Sequence, residues 1–376
     1  VTTVFKALGY KGEKLELPSL SAEESFALSL QKDLVDIQTN KAEDPFGWRV
    51  LVEKNAGLGS GFTNQNYMDA GAFLLDNPRD IFAQSELIVK IKEPQKTECD
   101  YIKEGQIIFT YFHFSSSNEL LQAMLDKKAV CIAYETVTDD KGALPLLIPM
   151  SEIAGRMSVQ QGAYFLNKSN GGKGVLLGGI PGERRGNVTV IGAGIVGQNA
   201  AFMAAGMLAN VDLLDINMNN LRALNPVLPK NIQTLFASEE NILQSIQKAD
   251  LVIGAVLIPG SSAPKIIRKH HLGLMQKGSV IVDVAIDQGG CFETSKPTTH
   301  QNPIYEVDGI VHYCVANMPG AVPYTATNAI TNATLNYTLQ IANKGWEKAC
   351  LENKHLNNGV NVALGKIYLD SLKNQL

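Results

Sequence analysis

The chain has 376 residues, of which 45% are hydrophobic and 19% charged, and its formal net charge is −4. This length favours two domains, and the composition is typical of a well-packed enzyme. The small negative charge gives no reason to expect nucleic acid or an anionic membrane as a partner, and no run of about 18 apolar residues predicts a membrane span.

The cysteines and the opening residues indicate the compartment. Five cysteines are scattered along the chain without C-x-x-C spacing, at Cys99, Cys131, Cys291, Cys314 and Cys350. An odd number without that spacing predicts reduced thiols rather than disulfides or a zinc site. The opening residues lack an apolar core followed by a cleavage site, which does not support a secretory signal. We therefore expect a cytoplasmic protein that holds no metal.

In the first half of the chain, strands and helices alternate from residue 48 onward. Before that point, one possible element lies around residues 15–17 and a helical pattern near 22–35. The predicted strands are 49–53, 87–91, 106–114 and 129–134, and the predicted helices are 64–72 and 118–126. Such alternation is typical of a parallel sheet. A long helix within residues 145–168, beginning near Ser151 after Pro149, would bridge two domains.

The second half contains six strand-like runs, at 188–191, 211–214, 233–236, 251–256, 280–286 and 311–315. Six strands are the full complement of a doubly wound dinucleotide-binding fold, whose ligands bind at the carboxyl ends of the strands. That edge would carry Asp215, Val256, Leu257, Asp287, Asn317 and Met318. The helical tail from residue 327 is too small to form a domain and is expected to return to the first one.

Residues 188–215 carry the strongest functional pattern. Gly192, Gly194 and Gly197 have G-x-G-x-x-G spacing between an apolar strand and an alanine-rich helix. The first glycine permits a tight turn, the second lets the backbone approach a pyrophosphate, and the third lets helix and strand pack closely. The start of the helix offers free N–H groups to the phosphates. The alternative is a tight turn without a ligand.

Asp215 closes the second strand of this pattern and discriminates between cofactors. A carboxylate there can accept hydrogen bonds from the ribose hydroxyls of NAD. Against the 2′-phosphate of NADP it would be a like charge, costing on the order of 4 kcal/mol per unit charge at an effective dielectric near 20. The first cation downstream is Arg222. The sequence therefore predicts NAD rather than NADP.

Three residues outside the glycine loop are candidates for chemistry. His113 lies near the end of the apolar run FTYFHF, where it is either a hydrogen-bonded core residue or a group that transfers protons near neutral pH. Asp287 follows the run VIVDVAI and is either a turn or helix-cap acid or a catalytic one. Lys92, next to Glu93 and Pro94, would by itself be interpreted as a solvated lysine.

Segments between residues 48 and 346 resemble the NAD-dependent L-alanine dehydrogenase family, in family order. They include KIKEP, EGQIIFTYFHF, AYETV, IPMSEIAGRMSVQQGAYFL, GGKGVLLGGIPG, VTVIGAGIVGQNAA, ADLVIGAVLIPG, VIVDVAIDQGGCFETS, VHYCVANMPGAVP and ITNATLNYTLQIANKGW. The implied reaction converts L-alanine, NAD and water to pyruvate, ammonium and NADH. The implied α/β fold has two Rossmann-like, doubly wound parallel-sheet domains joined by long helices, with a cleft between them. We expect a discontinuous catalytic domain at 1–146 and 323–376, an NAD-binding domain at 147–322, and a homohexamer.

The resemblance also implies roles for individual residues. Lys92 would hold the substrate carboxylate, His113 would exchange the proton at the substrate's C2 oxygen or nitrogen, and Asp287 would be the second acid–base residue beside the nicotinamide. Reduction of an imine needs residues of these types and a dry site. Cofactor contacts outside the glycine loop would come from Ser151, Asp215, Asn220, Val256, Leu257, Asp287, Asn317 and Met318.

The sequence departs from the family pattern in three places. Residues 1–48 do not match the family's opening and contain no arginine, whereas the family opens with a motif whose arginine clamps the substrate carboxylate. Lys14, in the segment GEKLELPS, is the substitute cation that we predict. Asn220 and Tyr324 also stand where the family often has basic residues.

Two other functions remain open from the sequence. The chain is also similar to the nucleotide-binding component of proton-translocating transhydrogenase, which works with a membrane partner. A catalytically silent NAD-binding protein is the second alternative, and the missing arginine is the feature that favours it. NADH formation from L-alanine separates the active dehydrogenase from both.

Overall fold

Residues 2–7, 48–256, 263–373 and 375 are described by the structure, a computed structural model. They fall into two units, one within residues 1–149 and 323–376 and the other within 150–322. The elements predicted near residues 15–17 and 22–35 lie outside the described residues, as do Lys14 and Leu257.

The first part of the chain builds most of one sheet. Its strands are β1 (Thr2–Ala7), β2 (Trp48–Glu53), β3 (Phe73–Leu75), β4 (Leu87–Lys90), β5 (Ile107–Thr110) and β6 (Val130–Ala133). Its helices are α1 (Asn64–Asp69), α2 (Pro78–Gln84), α3 (Lys96–Cys99) and α4 (Asn118–Asp126). Helix α4 begins where the Ser117 hydroxyl accepts a hydrogen bond from the N–H of Leu120, as is typical of an N-cap.

The prediction for strand β5 was too long. The run at 106–114 is mostly apolar, but the strand ends at Thr110 and the chain enters the left-handed region at His113, with φ +51°. Phe112 and Phe114 are buried on either side of that turn, with their rings stacked at 4.6 Å. A single, mostly apolar run therefore contains both a strand and the loop that follows it.

The second part of the chain builds the other sheet. Its helices are α5 (Ile148–Phe165), α6 (Ile195–Gly206), α7 (Met218–Leu224) and α8 (Glu239–Lys248). Its strands are β7 (Asn187–Ile191), β8 (Asn210–Asp215), β9 (Ile232–Phe236), β10 (Leu251–Gly254), β11 (Val280–Asp283), β12 (Ile304–Val307) and β13 (Ile310–Tyr313). Helix α5 begins at Ile148 rather than near Ser151, because a proline in the first helical turn lacks only an N–H that has no intrahelical partner.

All six strands predicted for this sheet are present. The strand order is β12-β13-β11-β10-β7-β8-β9, and every pair is parallel except β12 with β13. Without the added edge strand β12, this is the order 3-2-1-4-5-6 of doubly wound dinucleotide-binding folds. The order reverses between β7 and β10, and ligands of such folds bind at that switch point.

The last part of the chain adds to the first sheet. It consists of α9 (Pro323–Lys344), α10 (Trp346–Glu352), α11 (Lys354–Asn357), β14 (Val360–Ala363) and β15 (Lys366–Ile367). The strand order is β15-β14-β6-β5-β4-β1-β2-β3. The α/β class is as predicted, but this sheet is mixed rather than wholly parallel. Strand β1 is antiparallel to both β2 and β4, and β14 is antiparallel to β6.

Three further features concern the cysteines, metal-binding side chains and helix hydropathy. All five cysteines are free and buried. Within the described part of the chain, no cluster of three or more histidine, cysteine, aspartate or glutamate side chains could hold a metal ion. No helix in the described ranges has the length and hydropathy needed to span a membrane.

Candidate functional site

The glycine loop follows β7 at the switch point of the second sheet. Gly192 has φ +101°, and a Cβ there would lie 2.7 Å from the carbonyl oxygen of Ala255 at the end of the neighbouring strand β10. A Cβ on Gly197 would overlap the carbonyl oxygen of Gly192. A Cβ on Gly194, by contrast, would meet no atom within 4 Å. Gly192 and Gly197 are therefore required by contacts with the main chain, whereas Gly194 borders open space.

The N-terminus of helix α6 faces this open space without a cap. Gly194 is its N-cap residue and provides no side-chain hydrogen bond. The first N–H groups of a helix have no partner within the helix, and together with the helix dipole they favour an anion. The loop therefore combines free donors with room for a phosphate.

Three side chains fix the glycine loop through Ala193. The carboxylate of Asp215 accepts hydrogen bonds from the N–H of Ala193 at 2.6 Å and from the N–H of Asn217 at 2.7 Å. The side-chain amides of Gln198 and Asn220 both donate to the carbonyl oxygen of Ala193 at 2.8 Å. Asp215 and Asn220 were predicted to contact a cofactor, but Gln198 was not predicted to have a role. A hydrogen bond between a side chain and the main chain of a nearby loop does not require a particular residue spacing, so a sequence pattern cannot predict it.

The other predicted residues of this unit follow its remaining strands. Val256 is half-buried after β10, and Asp287 is exposed in the 3₁₀ turn Val284–Gln288 after β11. After β13, Asn317 has φ +55° and donates its N–H to the carboxylate of Asp287 at 3.4 Å, while Met318 beside it is buried. Ser151 is half-buried in the first turns of α5.

A buried carboxylate holds the loop that carries Asp287. Asp283 is completely buried, and its oxygens accept hydrogen bonds from the N–H groups of Ala285, Cys291 and Phe292 and from the Ser295 hydroxyl. Burial raises the pKa of Asp283, while the hydrogen bond from Ser295 and those from the main chain act in the opposite direction. Asp283 thus fixes both ends of the segment in which Asp287 lies.

In the first unit, Lys92 and His113 follow the neighbouring parallel strands β4 and β5. The Thr110 hydroxyl donates to the carbonyl oxygen of Lys92 at 2.9 Å, which joins the two loops. Both side chains are exposed, and among the described residues none pairs with the Lys92 ammonium. The interpretation of His113 as a core histidine is therefore wrong. Phe112 and Phe114 fill the core instead and leave His113 outside it.

Two further residues of this edge were not predicted. Glu135 follows β6, and its carboxylate accepts a hydrogen bond from the N–H of His113 at 2.6 Å. The ring of Tyr111 stacks on the His113 imidazole with centroids 5.8 Å apart, and its hydroxyl donates to the carbonyl oxygen of Leu146. Burial, followed by the nearby Glu135 carboxylate, raises the pKa of Tyr111, so this phenol remains a neutral donor.

Two buried acceptors adjoin the candidate residues. Oε2 of Glu93, next to Lys92, and Oε1 of Gln288, next to Asp287, are buried and accept no hydrogen bond from any described residue. A buried acceptor without a donor is unfavourable.

The chain is similar to one family over almost its whole described length. The family model described as "Alanine dehydrogenase/PNT, N-terminal domain" matches residues 42–154, and "Alanine dehydrogenase/PNT, C-terminal domain" matches residues 158–370. An alanine dehydrogenase of Methanococcus maripaludis is 51% identical over 327 residues, which cover 87% of this chain and 88% of the relative.

Solved structures are similar over comparable lengths. An L-alanine dehydrogenase structure has a TM-score of 0.84 and 43% identity, with 92% of this chain and 93% of that chain covered. A transhydrogenase from Sinorhizobium meliloti has a TM-score of 0.76 with 91% and 94% covered, but at 21% identity it supports the fold alone.

The steric difference between two glycines of helix α6 gives a test of the loop. We expect Gly197→Ala to lower the free energy of unfolding by about 1–3 kcal/mol, because the new methyl group overlaps the carbonyl oxygen of Gly192. Gly206→Ala, in the same helix, meets no atom within 4 Å and is the matched control. Urea denaturation followed by circular dichroism measures both. Equal stability of the two variants would contradict the packing described here.

Proposed function

The chain belongs to the alanine dehydrogenase/PNT family, and from this membership we propose that it catalyses the reversible oxidative deamination of L-alanine. In the forward direction L-alanine, NAD⁺ and water give pyruvate, ammonium, NADH and a proton. The observation that carries the proposal is the exposed imidazole of His113 at the same sheet edge as the ammonium of Lys92, which forms no ion pair with any described residue.

We propose NAD as the cofactor, held by the second unit. The open space at Gly194 and the uncapped start of α6 suit its pyrophosphate. A carboxylate has about four acceptor positions. Asp215 uses one on each oxygen for the main chain, so it retains acceptors for the ribose hydroxyls. We assign further contacts to Ser151, Asn220, Val256, Leu257, Asp287, Asn317 and Met318. When bound, NAD⁺ supplies the oxidant that takes two electrons and a proton from C2 of alanine.

The chain's own residues perform the remaining steps. The Lys92 ammonium binds the substrate carboxylate, which is the main polar group of both alanine and pyruvate. His113 takes and returns the proton on the nitrogen or oxygen at C2, because imidazole exchanges protons near neutral pH. Asp287 acts as the second acid–base group and assists the attack of water or ammonia. The bond from the Asn317 N–H orients its carboxylate.

Several finer features belong to the same proposal. Residues 1–146 with 323–376 bind the substrate, residues 147–322 bind NAD, and the enzyme is a cytoplasmic homohexamer. Lys14 is our candidate for the second cation on the substrate carboxylate. A lysine presents a point charge rather than the planar fork of an arginine, so substrate binding would be weaker than with an arginine clamp.

A catalytically silent NAD-binding protein is the second candidate. The absence of any arginine in residues 1–48 favours it, because a bidentate carboxylate clamp would be missing. Such a protein would keep the glycine loop and Asp215 but would not turn over the substrate.

The direct test of the proposal is an assay with L-alanine. We expect NADH formation, followed at 340 nm at alkaline pH, to depend on both L-alanine and NAD⁺, and the reverse reaction to require pyruvate and ammonium. D-alanine is the control. NADH binding measured by fluorescence without any turnover would support the silent protein instead.

Cofactor choice is tested at Asp215. We expect Asp215→Ser combined with Ile216→Arg to shift kcat/KM from NAD towards NADP, because the like charge facing a 2′-phosphate is lost and a cation is gained. Ile216 is 76% exposed, so arginine there disturbs no core. Ile216→Arg alone is the control and should shift the preference less. Comparable kcat/KM for the two cofactors in the unmodified protein would end this assignment.

The acid–base role of His113 is tested with asparagine, which tolerates the left-handed backbone at this position. We expect His113→Asn to lower kcat about 10²–10⁴-fold in both directions while NADH binding is unchanged. His270→Asn, at an exposed histidine elsewhere in the second unit, is the control. A wild-type kcat in His113→Asn would remove His113 from the mechanism.

A further inference from the structure

We propose that Glu135 is a positioning residue that holds His113 in its working orientation through the main chain. The inference rests on the proposed function, because it gives Glu135 a role in the reaction only if His113 transfers protons. It assigns a purpose to the AYETV segment, which the glycine loop, Lys92, His113 and Asp287 leave unexplained.

The contact is a carboxylate seated on two successive N–H groups. Oε1 of Glu135 accepts hydrogen bonds from Phe112 at 3.0 Å and from His113 at 2.6 Å, and Oε2 lies 3.3 Å from the Phe112 nitrogen. Successive N–H groups that converge where the second residue is left-handed form a concavity that binds anions. Here the anion is a side chain of the same protein, which is half-buried in the turn Tyr134–Thr136 after β6.

The conformation of His113 needs such a support. At φ +51° the backbone of His113 lies in the left-handed region, which residues other than glycine adopt only rarely. Its carbonyl oxygen accepts hydrogen bonds from the N–H and the hydroxyl of Ser116, which follow it in the chain. Among the described residues, Glu135 is the group that binds the N–H of His113, and it follows the neighbouring strand β6.

The main-chain conformation determines the direction of the imidazole. In the left-handed conformation the ring of His113 lies nearly parallel to the Tyr111 ring, with 13° between the planes. Tyr111 is itself fixed by the hydrogen bond from its hydroxyl to Leu146 and by an edge contact with Tyr134. If residue 113 relaxed to negative φ, its Cα–Cβ bond would turn and the ring would leave this stack.

The charge of Glu135 is compensated by the main chain rather than by a cation. None of the lysines and arginines in the described ranges forms an ion pair with it. Hydrogen bonds from N–H groups to a carboxylate are shorter and stronger than those between neutral groups. The residue therefore serves the orientation of the loop and leaves the Lys92 ammonium available for the substrate.

A double-mutant cycle tests the proposal. We expect Glu135→Leu to lower kcat at least 10-fold with little change in KM, and Glu135→Gln to keep most of the activity because its amide oxygen can accept both hydrogen bonds. In the His113→Asn background, Glu135→Leu should cause no further loss. Glu119→Leu, at an exposed glutamate of α4, is the control. If the leucine variant does not fold, Glu135→Asp, whose shorter side chain cannot reach both N–H groups, takes its place.

A second readout is independent of turnover. The chain has six histidines, so selective nitrogen-15 labelling gives few main-chain amide signals. We expect the His113 amide proton to be strongly deshielded in the wild type and in Glu135→Gln, and to move upfield in Glu135→Leu. The Glu119→Leu control should leave that signal in place.

The outcomes separate the two hypotheses. A Glu135→Leu variant with wild-type kcat, an additional loss in the His113→Asn background, or an unchanged His113 amide signal would overturn the positioning role. A wild type without alanine turnover, or an active His113→Asn variant, would instead overturn the proposed function. In that case the amide signal still decides whether Glu135 fixes this loop.

Discussion

A carboxylate that accepts main-chain N–H groups is the interaction on which both candidate edges depend. Asp215 at the end of β8 holds the glycine loop after β7, and Glu135 after β6 holds the loop after β5. Asp283 and Asp287 do the same around the loops after β11 and β13. Parallel strands end side by side, so an acidic side chain at or just after the end of one strand reaches the amides of its own loop, as Asp283 does, or of the loop after the neighbouring strand. Loops without regular structure thereby acquire defined shapes.

The sequence predicted the second sheet better than the first. Most of the six strands of the doubly wound core are buried and rich in apolar residues, although β9 is only partly buried. A parallel connection also leaves little freedom in their order. The edge strand β12 was missed because it follows β11 without a helical signal. In the first sheet, β1, β14 and β15 pair with strands that are distant in the chain or antiparallel to them. Local apolar periodicity contains no information about such partners.

In the candidate site, the sequence predicted residues whose type is required for steric or charge reasons. It did not predict the residues that hold the loops through hydrogen bonds to the main chain. Gly192 and Gly197 must be glycine because a Cβ would meet the main chain, and their spacing records that requirement. His113 could not be placed inside or outside the core, since its apolar neighbours suit either position. Gln198, Glu135 and Asp283 bind main-chain N–H or C=O groups, which nearly all residue types possess, proline alone lacking the N–H. The main-chain group that each of these side chains binds therefore cannot be recognised from the sequence.

The use of main-chain amides also bears on how the protein responds to ionic strength. Its exposed ion pairs, such as Lys54 with Asp76 and Lys96 with Glu119, are of the kind that dissolved salt screens. The hydrogen bonds that Asp215 and Glu135 accept join a half-buried charge to dipoles in direct contact, at separations far below a Debye length of about 8 Å in physiological salt. A concentrated electrolyte would thus weaken the pairing of surface charges while the loops that carry the candidate residues keep their geometry.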